Sequence, residues 1–271
     1  MRYTWRTAIG EVLMLLLGLA FAFPLVVLVI TAFKPADEFG SALSLPVSPT
    51  LQNFADAWGT AHIGPAMLNS LLVTGGSTLV IVLTCSMASY PLARITKAWS
   101  RGVYALFMLG LILPFQLGLI PLYMTMRDVG LLGSPVALIL LYAGLQAPFA
   151  VFLYTEHLRA VPTDYEQAAS LDGCTHWQTF WHVVFPMLRP ITGTIVILTV
   201  VFVWNDFYTP LLYLTGSGTA TLPVALFQFA GQFSTNWNLV FAGLVLGSLP
   251  IIIAFLVMQR SAFRGYATGM R

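Results

Sequence analysis

The chain has 271 residues, of which 58% are apolar and only 8% charged, with a net charge of +2 and a mean hydropathy of +0.84. Soluble domains carry roughly 25% charged residues, so the composition excludes an ordinary soluble domain and indicates a multi-span membrane protein. The small positive balance offers no basis for a nucleic acid partner.

Crossing a hydrocarbon core of about 30 Å takes about 20 apolar residues in a helix. Helices are the expected spanning elements because lipid satisfies no backbone donor or acceptor. Six runs meet the requirement: Val12 to Ala32, Leu68 to Tyr90, Val103 to Met124, Pro135 to Tyr154, Ile191 to Leu212 and Leu239 to Met258. None alternates polar with apolar residues, which excludes a β-barrel reading.

The first run follows Arg2 and Arg6. It exceeds the apolar core of a signal peptide, about 7–15 residues, and lacks a convincing small-residue cleavage site, so an uncleaved span is expected. The segment from Phe33 to Met67 then carries Pro35, Pro46 and Pro49 before "TLQNFADAW". Phe54 and Trp58 are four apart there, a spacing that suits a short helix lying at the membrane interface with its aromatics toward the membrane. In the third span Gln116 lies between Pro114 and Pro121. Prolines free carbonyls that a cavity can use, making Gln116 a substrate-path candidate; the alternative is a helix-to-helix hydrogen bond.

Between the fourth and fifth spans, residues 155–190 form a polar segment containing "EQAASLDGCTHWQTFWHVVFPMLRP". Thr163 with Glu166 has capping-box spacing, which predicts a short helix starting there. Gly173 is suited to the left-handed conformation that closes it. Thr175 with Gln178 repeats the spacing, predicting a second helix that Pro186 ends. Trp177, Phe180, Trp181 and Val184 share one apolar face of that second helix. Tyr165, Ala168, Ala169 and Asp172 share a face of the first, with small alanines at its centre, where another surface can approach closely.

The fifth span contains "WNDFY", whose Asp206 is the acidic residue well inside a span. Either Asp206 reaches interfacial water or it lines a hydrated path with Asn205. Trp204, Asn205, Asp206 and Tyr208 together offer the polar groups and aromatic faces by which sugars are held. The outer segment from Thr215 to Asn238 ends near Trp237, a residue type that marks bilayer interfaces. In the last span Gly243 and Gly247 form a G-x-x-x-G, which permits close helix packing.

Lys and Arg accumulate on the cytoplasmic side of membrane proteins. With the N-terminus inside, Arg2, Arg6, Arg94, Lys97, Arg101, Arg159, Arg189, Arg260, Arg264 and Arg271 are cytoplasmic, and only Lys34 and Arg127 face outward. Both chain ends and the segment 155–190 are therefore expected in the cytoplasm. Cys85 and Cys174 fall in a span and in a cytoplasmic segment, positions that suit packing rather than a disulfide. The two lysines, Lys34 and Lys97, follow no glycine-rich phosphate loop, so the chain is not itself expected to be an ATPase. His62, His157, His176 and His182 lack the spacing of a metal site.

Ala168, Ala169, Asp172, Gly173, Pro186 and Pro190 match the "EAA" loop of permease subunits of ATP-binding-cassette (ABC) importers. "MLNSLLV", "WNDFYTPLLYL", "LPVALFQF" and "MQRSAFRGYATG" resemble the second, MalG-like permease of the carbohydrate-importing branch. That resemblance, to the inner membrane components of binding-protein-dependent transport systems, implies an all-α integral membrane fold of six transmembrane helices, the type I importer permease fold, forming one domain over 1–271. It implies that Glu166, Gln167, Ala168, Ala169, Asp172, Gly173 and Pro186 belong to a coupling helix docked on a separate ATPase. The implied partners are a second homologous permease, two copies of the ATPase carrying ATP and Mg, an extracytoplasmic solute-binding protein and membrane lipid. The implied activity is ATP-driven import of a sugar or related polyol, by a subunit that is not itself an enzyme. Where the family places an acidic residue before the two alanines this chain has Gln167, which offers a neutral hydrogen bond in place of a charge-assisted one. The rival reading is an ion-coupled secondary transporter with Asp206 as the coupling carboxylate.

Overall fold

The computed structural model describes residues 5–38, 44–232 and 237–268. Arg2 and the tail at Arg271 lie outside the described residues, as do the side chains of Arg260 and Arg264. The described elements are helical: α1 (Trp5–Ala32), α2 (Gln52–Thr60), α3 (Ile63–Arg94), α4 (Ala98–Ile112), α5 (Leu119–Asp128), α6 (Pro135–Ala160), α7 (Asp164–Leu171) and α8 (His176–Thr179) come first. A π-helical turn over Phe180–Val184 leads into α9 (Phe185–Met187), followed by α10 (Arg189–Asn205), α11 (Tyr208–Leu214), α12 (Leu222–Gln232) and α13 (Trp237–Thr268). Four helices are long and apolar enough to cross a membrane alone, and two sharply bent pairs bring the total to as many as six.

Two of the expected spans are therefore not straight. Instead of one helix over Val103 to Met124, α4 stops at Ile112, and the chain resumes through a 3-10 turn at Phe115–Gly118 into α5, bent by 97°. Pro114 lacks an N–H and forces the residue before it out of the helical region, and Leu113 is accordingly extended, with φ −70° and ψ 125°. The span expected over Ile191 to Leu212 likewise breaks into α10 and α11, with extended backbone at Asp206. The segment His176–Met187 meets α10 at 71°. Conversely, α3 begins five residues before the expected Leu68 and continues to Arg94 past Pro91. Its 32 residues span about 48 Å at 1.5 Å each, more than a hydrocarbon core requires, so its ends extend beyond the apolar layer.

The chain divides into two compact units, 1–66 with 224–250 and 67–223 with 251–271. In the first, Asn53 on α2 is a buried polar node: its Nδ2 donates to the carbonyls of Ala32 (2.9 Å) and Lys34 (2.7 Å), and its Oδ1 accepts from Asn238 Nδ2 (2.9 Å). These bonds satisfy carbonyls left free where α1 ends. Phe33 packs on Phe54 with ring centroids 5.0 Å apart, so the aromatic expected to face the membrane instead turns partly onto the protein. Gly243 of the G-x-x-x-G packs under Leu226 of α12, whose Cδ2 would lie 2.5 Å from any added Cβ. Every residue of α1 from Glu11 to Ala20 is exposed.

In the second unit α6 is the central helix. Ser134 caps it by accepting from the Val136 amide (3.2 Å), and Pro135 occupies the first helical position, where its missing N–H costs nothing. One core gathers Ile81, Cys85 and Leu92 of α3, Val151, Tyr154 and Leu158 of α6, and Phe180, Val184, Leu188 and Ile195. A second joins Val73, Leu138, Leu141 and Tyr142 to Val203, Tyr213 and Leu214.

α4 approaches α6 through Gly110, where an added Cβ would stand 2.8 Å from Cγ of Pro148. A proline ring cannot swing away. Gly110→Val is expected to destabilise the protein by about 1–3 kcal/mol through overpacking. On the same helix Gly102 has open space around it, so Gly102→Ala is expected to be neutral or stabilising by up to ~1 kcal/mol. Thermal unfolding in detergent checks both, and equal behaviour of the two variants would contradict the packing.

Candidate functional site

The polar segment between α6 and α10 folds into an elbow. α7 closes at Gly173, whose φ of +84° is available at little cost only to glycine. The Cys174 amide reaches the Ala169 carbonyl (3.0 Å) and the Gly173 amide reaches that of Ser170 (3.1 Å), the double bond of a Schellman turn. α8 then opens on the expected capping box: Thr175 Oγ1 accepts from the Gln178 amide (3.3 Å), and Gln178 Oε1 accepts from the Thr175 amide (2.8 Å).

The first expected capping box does not form. Thr163 is already helical, with φ −78° and ψ −8°, and makes no side-chain cap. Its partner Glu166 is drawn elsewhere. Arg94 Nε (2.9 Å) and Nη2 (2.7 Å) both bond to Glu166 Oε1, and Tyr90 Oη donates to Oε2 (3.1 Å). A charge-assisted pair with a guanidinium outweighs a single neutral cap. Thr163 Oγ1 instead accepts from Gln167 Nε2 (3.3 Å), on the exposed side.

Pro186 also does not end the second helix. The chain continues through it to Met187 and turns at Leu188. The missing Pro186 amide is accommodated upstream, where the Phe185 amide reaches back to the Phe180 carbonyl and widens one turn to π geometry.

The two helices are held differently. Phe180 and Val184 sink into the core of α3, α6 and α10, and Trp181 packs against its edge, while Trp177 stays mostly exposed. On α7 only Ala169 is buried; Ala168, Asp172 and Gly173 are exposed. The expected face with both alanines at its centre is thus split, one facing inward and one outward. Leu171 is also 89% exposed, and Tyr165 and Trp177 are exposed as well. Leu171 falls off the face counted from the sequence, and no spacing signal singles it out.

The substrate-path candidates are dispersed. Asp206 sits at the break between α10 and α11 with its carboxylate occupied: Oδ1 accepts from the amides of Tyr208 (3.0 Å) and Thr209 (3.3 Å), and Oδ2 accepts from Tyr142 Oη (2.9 Å). It satisfies the amides freed where α11 begins. Asn205 turns its Nδ2 back to the Val201 carbonyl (2.8 Å), and Trp204 is buried in packing. Tyr208 is exposed, and Gln116 is exposed on the 3-10 turn before α5.

Comparison with known proteins places the chain. The family model for the inner membrane component of binding-protein-dependent transport systems matches residues 80–264. The "Probable starch degradation products transport system permease protein AmyC" of Thermoanaerobacterium thermosulfurigenes is 33% identical, with 94% of this chain and 93% of that protein covered. The melibiose/raffinose/stachyose import permease protein MelC of Bacillus subtilis is 32% identical, with 91% and 90% covered. Among solved structures, a chain of a bacterial ABC transporter involved in the import of the acidic polysaccharide alginate superposes with a TM-score of 0.85 at 19% identity, covering 96% of this chain and 99% of that one. A polar elbow rooted in the core of a helical membrane bundle, together with a match across most of its length, shows that the chain belongs to the family of binding-protein-dependent transport system inner membrane components.

Proposed function

We propose that the chain is the permease subunit of an ATP-driven importer of a mono- or oligosaccharide or related polyol, and that the elbow from Thr163 to Leu188 couples it to a separate ATPase. The single observation that carries this reading is that one end of the elbow is solvent-facing while the other shares a core with three membrane helices. Closure of two ATPase copies on ATP and Mg pushes the elbow, and the bundle passes from inward-open to outward-open. Hydrolysis resets it. Supporting the sugar assignment are the names of the relatives, which handle starch degradation products and raffinose-type oligosaccharides.

In this reading the chain forms one transmembrane permease domain with both ends cytoplasmic. A second homologous permease and lipid cover the apolar surface of α1, and an extracytoplasmic binding protein delivers the solute. The outward group of Tyr165, Ala168, Leu171, Asp172, Gly173 and Trp177 enters the ATPase cleft.

Gly173→Val leaves no room problem, since nothing lies within 4 Å of the added Cβ. It forces a branched residue into the left-handed region at a cost of about 1–2 kcal/mol, which opens the turn. Gly173→Val, Leu171→Glu and Asp172→Lys are each expected to cut ATP-dependent uptake in vesicles about tenfold or more, an effect of ~1.4 kcal/mol or more, while the chain remains in the membrane at its usual level. Wild-type uptake by all three would overturn the assignment.

An ion-coupled carrier would stop when its gradient collapses. Uptake into ATP-loaded vesicles is expected to persist when proton and sodium gradients are dissipated. It should also survive Asp206→Asn, because the amide oxygen still accepts from the Tyr208 and Thr209 amides. Loss of uptake on dissipating the gradients alone would favour the carrier reading.

A further inference from the structure

Arg94 closes a junction of three helices that the coupling reading leaves without a role. It is the last residue of α3, and its guanidinium is spent on two other elements. Besides the two bonds to Glu166 in the first turn of α7, Nη1 donates to the Leu158 carbonyl (2.8 Å) and Nη2 to that of Val161 (3.2 Å). Those carbonyls belong to the end of α6, where the helix dipole favours a cation; that of Leu158 also accepts from the Val161 amide (3.2 Å). Arg94 and Glu166 are about 16% and 15% exposed, so water screens the pair little. Tyr90, one turn earlier on α3, bonds to the other carboxylate oxygen, and its ring lies 5.8 Å from that of Phe180.

α7 buries only Ala169, whereas the second half of the elbow is anchored by Phe180, Val184 and Leu188. The polar junction is therefore what fixes α7 against the bundle. Lysine, with one ammonium and no planar fork, cannot reproduce a group that meets the Glu166 carboxylate and the Leu158 and Val161 carbonyls at once.

We propose that Arg94 is a positioning residue for coupling: with Tyr90 it clamps Glu166, so that a push on α7 is delivered at one point to α3 and α6 together. Glu166 is thereby turned to its own chain and is not a group offered to the ATPase. The clamp rests on the coupling reading above and adds to it a defined route into the bundle.

The test uses the complete importer in proteoliposomes, with solute transported per ATP hydrolysed as the readout and the wild type as reference. Arg94→Gln is expected to lower that ratio about tenfold, Glu166→Gln to lower it similarly, and the double variant to be no worse than Arg94→Gln alone, since paired groups are not additive. Arg94→Lys, which keeps the charge, is expected to recover part of the loss. Spin labels on α3 and α7 should report one narrow distance through the ATP cycle in the wild type and a broad one in Arg94→Gln. An unchanged ratio in Arg94→Gln and Glu166→Gln, or losses that simply multiply in the double variant, would overturn the clamp while leaving the coupling reading standing. If Arg94→Gln does not assemble, Glu166→Gln, which leaves Arg94 on its two carbonyls, decides the question by the same ratio and distance. A wild-type importer that moves solute with no dependence on ATP would instead overturn the reading beneath both.

Discussion

The seat of Phe180 is the contact on which the rest depends. A ring that is nearly fully buried among α3, α6 and the elbow contributes about 1.5–3 kcal/mol in transfer free energy, and truncating such a residue to alanine costs about 3–5 kcal/mol. Around it Trp177, Trp181 and Phe185 place their rings at centroid distances of 5.1–6.4 Å. That cluster makes a solvent-side segment mechanically continuous with the membrane helices. Without it the elbow would be a tethered loop with no fixed seat against α3 and α6.

The second governing constraint is that helix breaks near lipid must satisfy their own backbone groups. Each break here does so by a different device. At Asp206 one carboxylate takes two amides of α11 and a tyrosine hydroxyl from α6. At Gly173 the backbone alone closes the turn. Before Pro186 the helix widens to a π turn rather than ending. At Pro114 the chain leaves the helix extended and the Leu117 amide returns to the Pro114 carbonyl (3.1 Å). These devices pair the backbone groups named at each bend. The bends are what separate a permease with an internal junction from a simple stack of rods.

How much of this was readable in the sequence depended on range. Features fixed within one helical turn were legible: the glycine closure at Gly173 and the Thr175–Gln178 box are both present. So was the existence of apolar helices, since composition alone demanded them. The Thr163–Glu166 box has the same spacing and is absent, because Arg94, 72 positions away in the chain, competes for the carboxylate. Capping is worth about 1 kcal/mol, a margin that a distant guanidinium readily overrides. Hydropathy likewise could not reveal the 97° bend at Pro114, because a kinked run and a straight one have the same composition. Asp206 was ambiguous for a similar reason: its partner Tyr142 is 64 positions distant, and only the fold shows the acid occupied as a cap.

Range also explains the departure at Gln167. In the helical register Gln167 and Glu166 point to different sides of α7, and the structure sends the carboxylate inward to Arg94 and the amide outward to solvent. Glu166 is therefore committed to the junction, while Asp164, Tyr165, Gln167, Ala168, Leu171 and Asp172 remain exposed along α7 and its cap. Those exposed residues combine apolar area with the charges of Asp164 and Asp172, and apolar burial does not weaken with added salt as a surface ion pair does. Under the proposed coupling, Leu171 and Asp172 supply the grip outside, while the Arg94–Glu166 ion pair performs its work within the chain. In that reading, contact with the ATPase and transmission to the bundle fall to different sides of one two-turn helix.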